Sequence, residues 1–321
     1  MGVESSLTDR RELAGSSQIQ IMWPLLGAVS VLVVINGVVR WLAAGVASVP
    51  PGQDVMPPGK ELVMHVLEWG QFVVFLLIVG LVVIRPALRR QGFGFDALFV
   101  LATIVVNFWD VLDNYWGFNF QYNALQFNVG SWAGFIPGWH SPSPGLWAVP
   151  VGFVFGAYTW AFYLAVVAGC RILTYLRDRF PSWSTARGLL VVFTCNAAIA
   201  GIAENIYLRV GAFVNLRPYE PLTLWDHTPL AWPVYNPVLF GLTWTALTVL
   251  RWSRDGNGWS FVERGIPNFV SSQPVQTVAR FLAIFAFLEV TYILLYFVPF
   301  NVFAAMRTAP PNIFPSYFPV P

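Results

Sequence analysis

Residues 62–84 read LVMHVLEWGQFVVFLLIVGLVVI, twenty-three positions that hold only two ionisable side chains, His65 and Glu68. About 20 predominantly apolar residues suffice for a helix to cross the hydrocarbon core of a bilayer. Three arginines, Arg85, Arg89 and Arg90, follow the run and mark one of its ends as water-facing. Six more stretches of similar character lie at 21–46, 97–113, 147–173, 188–208, 237–250 and 275–298, of which 97–113 and 237–250 are the shortest or most polar at one end. The first is too long for a cleaved secretory signal and reads as an anchor. The expected fold is therefore all-α, a polytopic integral membrane helical bundle of about seven transmembrane helices. The domain plan is a polar segment at 1–20, a single membrane domain at 21–298 and a proline-rich outer tail at 299–321.

Composition supports this reading. Of 321 residues 56% are hydrophobic and 11% charged, whereas an ordinary soluble domain carries about 25% charged residues. Lys60 is the single lysine, the net charge is +2, and no basic tract suggests nucleic acid as a partner. The expected partners are the lipid bilayer and an apolar, oxygen-bearing small molecule. Cys170 and Cys195 sit in or beside apolar runs as small hydrophobes, with no disulfide framework.

Arginine placement sets the expected orientation. Arg10 and Arg11, then Arg85, Arg89 and Arg90, then Arg171, Arg177, Arg179 and Arg187, then Arg251, Arg254 and Arg264 all fall on one side of an alternating seven-helix chain. The positive-inside rule puts that side, and the N-terminus, in the cytoplasm and the C-terminus outside. From Asn114 to Cys170 there is no Asp, Glu, Lys or Arg, and 114–123 alternates aromatics with amides. Such a loop reads either as an aromatic belt at the headgroups or as a lid folded back on the bundle. The tail prolines Pro310, Pro311, Pro315, Pro319 and Pro321 read as an extended outer strap.

A faint repeat pairs 97–173 with 188–252. Asp113-Asn114-Tyr115 corresponds to Glu204-Asn205-Ile206-Tyr207, His140-Ser141-Pro142 to His227-Thr228-Pro229, and Thr159-Trp160 to Thr243-Trp244, at offsets of 91, 87 and 84 residues. Chance and duplication both account for it.

Ionisable groups within membrane spans are costly and usually functional. His65 and Glu68 share a face of the second helix. Asn107, Asp110 and Asn114 follow helical spacing on the third, with Asp113 on its flank. Asn196, Glu204, Asn205 and Tyr207 lie on the fifth and Glu289 on the seventh. Acids from three helices at one depth suggest a general acid and a base or cation-stabilising carboxylate. The blander reading leaves Asp113, Glu204 and His65 at water-facing helix ends, and His140 and His227 as solvated loop histidines. Three histidines in the whole chain are too few for a membrane di-iron cluster, and there is no nucleophile elbow, Walker loop or dinucleotide fingerprint. The expectation is chemistry without metal or redox cofactor.

From Asp113-Asn114-Tyr115 through Tyr122-Asn123 to Gly130-Ser131-Trp132, the chain resembles the AveC-like spirocyclase family, bacterial membrane proteins related to the spiroketal-forming factor of the avermectin pathway. Chain length, the several spans and Glu204-Asn205-Ile206-Tyr207 fit the same family. The resemblance implies a multi-pass bacterial inner-membrane protein of secondary metabolism that cyclises a dihydroxy-ketone polyketide to a spiroketal with dehydration. On that reading Asp110 or Asp113 pairs with Glu204 as acid and base, supported by Glu68 and His65. Asn107, Asn114, Asn205 and Tyr207 bind substrate oxygens, and Tyr115, Tyr122, Asn123, Trp132, His140, His227 and Glu289 complete the binding surface. The rival reading is a transporter or lipid-binding membrane protein, to which intramembrane acids and a repeat are also suited.

Overall fold

The computed structural model describes residues 2–308 and 314–320, with side chains from Ile21 onward. Arg10 and Arg11 as side chains, and Pro310, Pro311 and Pro321, lie outside the described residues, as do the side chains of the polar segment 1–20. Among the described residues seven helices make up the bundle: α1 (Gly2–Ala44), α2 (Pro58–Leu88), α3 (Phe95–Asn114), α4 (Gly152–Arg179), α5 (Thr185–Val210), α6 (Tyr235–Trp252) and α7 (Gln273–Ala305). Six of these, all but α6, contain windows long and apolar enough to span a membrane. The protein is thus an all-α polytopic membrane protein. The fourth helix starts later than its apolar run, at Gly152, because Trp147 to Pro150 belong to the loop before it.

Most of α3 is buried, while α1, α2 and α5 keep broad outward faces of Leu, Val and Ile. The buried α3 packs against α7 and α4, α1 against α7, α2 against the start of α4, and α5 against α6. Two glycines permit the closest approaches. A Cβ at Gly27 of α1 would collide with the backbone of Leu282 on α7, and one at Gly241 of α6 would lie 2.8 Å from the Ala197 Cβ of α5.

Three π-helical stretches interrupt the helices, Val79–Ile84, Gly152–Ala157 and Ile293–Phe297. Each lies within two residues of a proline: Pro86, Pro150 and Pro299. Pro86 and Pro299 lie within their helices and supply no N–H to the ladder, and the wider turn before each absorbs the missing bond; Pro150 precedes α4 and removes none. At the arginine-rich end of the bundle, Arg251 on α6 makes a two-pronged ion pair with Asp96 on α3 (2.8 and 2.9 Å). Arg280 on α7 pairs with the fully buried Glu263 of the 253–272 loop (2.8 Å).

The opposite end is roofed by loops. Strand β1 (Phe120–Tyr122) pairs antiparallel with β2 (Phe213–Asn215), so the segments that follow α3 and α5 are hydrogen-bonded to one another. A second small pair, β3 (Thr223–Leu224) with β4 (Trp232–Pro233), shapes the loop before α6. Much of the uncharged loop is buried, including Phe120, Tyr122, Trp132 and Trp147, so it is folded onto the bundle rather than solvated. Trp132 donates from its indole to the carbonyl of Phe108 (2.7 Å).

The tail segment 314–320 crosses this roof. Ala124 N–H donates to the Tyr317 carbonyl (2.8 Å), and Ser316 N–H donates to the Asp54 carboxylate (2.7 Å). The bonds from Ser316, backbone first and side chain second, hold the Asp54 carboxyl below its ordinary range. A lowered folded-state value contributes stability above the unfolded value of about 3.9 and loses it as pH falls further. Cleavage of the tail by an acid-active protease is expected to rise as pH drops through that range, and Asp54→Asn is expected to flatten the rise.

Candidate active site

The site begins where α3 changes its winding. From Asn107 to Asn114 the helix tightens to 3₁₀ over eight residues, a length that is uncommon for this conformation. At three residues per turn, positions three apart fall on one line. Asn107, Asp110 and Asp113 therefore share an edge, and Asn114 is rotated away. This corrects the α-helical spacing that grouped Asn114 with Asp110 and left Asp113 on the flank.

Asn114 has a structural task instead. Its side-chain oxygen accepts from the N–H groups of Asn119 (2.7 Å) and Phe120 (2.9 Å), and its amide donates to the Phe120 carbonyl (2.8 Å). These bonds close the turn between α3 and β1. Removing them with Asn114→Ala is expected to cost about 3 kcal/mol, read as a lowered thermal midpoint of the purified protein in detergent.

The turn aims β1 into the bundle. Side chains two apart on a strand share a face, and Phe120 and Tyr122 both point inward, with ring centroids 4.7 Å apart. Tyr122 donates its hydroxyl to Asp110 Oδ2 (3.0 Å) and lies 2.9 Å from the Tyr158 hydroxyl of α4. Burial first, and the neighbouring Asp110 second, push the Tyr122 hydroxyl well above its ordinary range. Tyr122 therefore keeps its proton and gives it to Asp110. Its oxygen then accepts from Tyr158, and the lone pairs of Tyr158 are left for something else. The second oxygen of Asp110 and one oxygen of Asp113 are buried without a partner among the described residues.

Glu204 comes from the C-terminal half of α5. Trp232 Nε1 donates to one of its oxygens (2.8 Å) and Asn236 Nδ2 to the other (2.7 Å). Each carboxyl oxygen is thereby oriented and retains a second lone pair. Glu204 and Tyr158 line one cavity of about 240 Å³ between α4, α5 and α6, together with Tyr207, Asn236, Trp244 and Tyr296. Phe120 and Phe213, with centroids 4.9 Å apart, belong to its roof. No Lys, Arg or His among the described residues lines it, and no three His, Cys, Asp or Glu side chains among them converge as metal ligands.

The remaining sequence-predicted residues are placed as follows. Asp110 and Asp113 are buried beside the cavity but are not among its lining residues; Asp113 lies within electrostatic reach of both Asp110 and Glu204. Glu68 accepts from His65 Nδ1 (3.1 Å) and from Phe127 N–H (2.9 Å), so this pair anchors the loop between α3 and α4 to α2. Asn107 donates to Thr159 (3.2 Å), and Tyr115 to the Gly138 carbonyl (2.8 Å). Asn123 bonds the Gly211 carbonyl (2.8 Å), which clasps the two roof segments together. Asn205 is turned to Arg209 and the Gly201 carbonyl on its own helix. Tyr207 donates to Gln71 (2.6 Å) while also lining the cavity. His140 is exposed, and His227 sits at positive φ beside Asp226 (3.3 Å). Glu289 accepts from Ser30 of α1, away from the cavity lining.

Sequence reasoning missed Tyr158, Trp232, Asn236 and Tyr296. Tyr158 lies next to Thr159-Trp160, noticed only as half of a possible repeat, and both tryptophans of those two dipeptides, Trp160 and Trp244, line the cavity. Trp232 and Asn236 carried no signal, since neither is ionisable.

A search of family profiles finds one whose description is Spirocyclase AveC-like, matching residues 88–321. That span is well over half of the chain and contains every cavity-lining residue. This chain belongs to the AveC-like spirocyclase family. Comparison with the curated proteins and with the solved structures finds no match. The AveC-like match starts as α2 ends, so Ser30, His65, Glu68 and Gln71 stand outside it and the Asp110–Tyr122–Tyr158 chain and Glu204 stand inside.

Proposed function

We propose that this AveC-like protein is a cyclase/dehydratase embedded in a bacterial inner membrane, N-terminus cytoplasmic, which closes a hydroxylated polyketide or lipid-like chain into a spiroketal or related cyclic ether. The observation that carries the reading is a single apolar cavity reached by Glu204 from one wall and by a tyrosine relay to Asp110 from another. Glu204 serves as the acid. Its proton goes to the hydroxyl of a bound hemiketal, the C–O bond breaks and water leaves. The ring oxygen donates a lone pair to form the oxocarbenium ion, which the carboxylate now left on Glu204 stabilises.

A second hydroxyl of the substrate then adds to that carbon. Its proton passes to Tyr158, the Tyr158 proton to Tyr122, and the Tyr122 proton to Asp110. One water is lost overall, and a proton returned from Asp110 to Glu204 resets the site. Asp113, within electrostatic reach of both, is the group proposed to carry that return. Phe120 and Phe213 hold the apolar body of the substrate and keep bulk water from the cation. No cofactor is needed for these steps.

Comparative metabolite mass spectrometry of the source cell tests the reading. With the gene deleted, a species one water heavier than the lost product is expected to accumulate, and the intact gene restores the product. An unchanged set of structures, altered only in how they distribute across the membrane, would sink the enzyme reading in favour of a carrier.

A further inference from the structure

The cavity does not end at Glu204 and Tyr158. Its lining continues along α4 to Leu164, Ala168 and Ile172 and along α5 to Ile199 and Cys195. From Tyr158 to Ile172 this is about 21 Å at 1.5 Å per helical residue, some two-thirds of a hydrocarbon core of about 30 Å. Leu164 and Ile199 line the cavity and are also 43% and 57% exposed at the bundle surface. The slot is therefore open sideways, on a flank of two membrane-spanning helices. Its lining also carries polar groups. The indole N–H groups of Trp160 and Trp244 and the side-chain oxygen of Asn236 are buried without partners among the described residues, and Asn196, whose amide donates to Thr245 (3.4 Å), lines it beside Cys195. Trp244 and Asn236 are 6% and 5% exposed, and buried donors and acceptors of this kind are ordinarily satisfied. An occupant that carries a few oxygens on a long hydrocarbon chain matches this lining.

We propose that α4 and α5 form a lateral portal, through which an amphipathic long-chain substrate enters directly from the bilayer. Its hydrocarbon chain lies along the slot toward Ile172 and Cys195, and its hydroxyl- or carbonyl-bearing end sits among Trp160, Trp244, Asn236 and Glu204. The identity of the occupant as substrate rests on the cyclase reading; the slot and its lipid-side opening do not.

The test uses the full-length protein in phosphatidylcholine–phosphatidylglycerol vesicles, with hexadecanol carrying a mid-chain diazirine as the probe. After irradiation, adducts are mapped by peptide mass spectrometry. Labelling across 164–172 and 195–199 is expected to exceed that on the outward face of α2, around Val73 and Leu77, by about tenfold. Ala168→Trp fills the slot and is expected to lower the labelling about tenfold. Ile199→Trp, from the other wall, gives the same result if the first variant folds poorly. Leu88→Trp places the same ring on the outward end of α2 and leaves slot labelling unchanged. Labelling no greater than on α2, or unaffected by either blocking variant in protein that keeps its thermal midpoint, overturns the portal. Tyr122→Phe separates the two proposals, because it slows turnover and, lying outside the cavity lining, leaves labelling at Leu164 and Ile199 in place.

Discussion

Glu204→Gln is expected to lower product formation about a thousandfold, within the range that general acid–base groups contribute. The substitution preserves length and shape but supplies no acidic proton. It also sets an amide N–H₂ against one of the two donors, Trp232 Nε1 or Asn236 Nδ2, that now orient the carboxyl. That mismatch lowers stability by about 1–2 kcal/mol, so turnover must be reported per folded molecule. Glu204→Asp keeps the acid but draws it back by one methylene, and partial turnover is expected. A carboxyl that merely braces α5 against the β4 loop would behave differently: both variants would lose folded protein, and the survivors would turn over normally. The measurement is initial rate by mass spectrometry, normalised to the monodisperse fraction from size-exclusion chromatography.

The second large effect falls on the relay. Tyr158→Phe and Tyr122→Phe each remove one hydroxyl from the chain of bonds that ends at Asp110. Each is expected to cost about a hundredfold in rate. Groups that act as one unit are strongly non-additive, so the double variant should be no slower than the slower single. Multiplying losses, near ten-thousandfold in the double variant, would mean that the two tyrosines work separately and that no relay runs through them. Asp110→Asn should match the single variants. The Tyr122 hydroxyl is held protonated by burial and by Asp110, so the rate should show no loss from tyrosine ionisation in the mildly alkaline range.

Much of the fold was readable in the sequence, for physical reasons. A run such as 62–84 has one low-energy option in lipid, a helix, because its backbone polar groups find partners only within the segment. The same logic marked Asp110, Asp113 and Glu204, since a charge within a span needs a reason to be there. The charge-free stretch after Asn114 reads as an aromatic belt or as a loop folded on the bundle, and the burial of Trp132 and Trp147 matches the second.

What escaped was local geometry. Hydrophobic patterning cannot distinguish α from 3₁₀ winding, so helical spacing aligns Asn114 with Asp110 and sets Asp113 on the flank, whereas the eight-residue 3₁₀ turn aligns Asp113 with Asp110. Short-range patterning also cannot foresee that Phe120–Tyr122 would meet Phe213–Asn215, some ninety residues away. Neutral partners such as Tyr158, Trp232 and Asn236 stay invisible until the fold brings them to an acid. His65 and Glu68, conspicuous as charges in a span, hold a loop through the Phe127 N–H.

The most direct test isolates the chemistry from the cell. The heavier precursor that accumulates in the deletion strain is extracted and supplied to purified protein in sealed vesicles, with Glu204→Gln protein alongside. The expected result is conversion by the unmodified protein to a species one water lighter, as a single stereoisomer, and a thousandfold slower reaction with the variant. Precursor recovered chemically unchanged, or merely moved from one side of the vesicle membrane to the other, would contradict it.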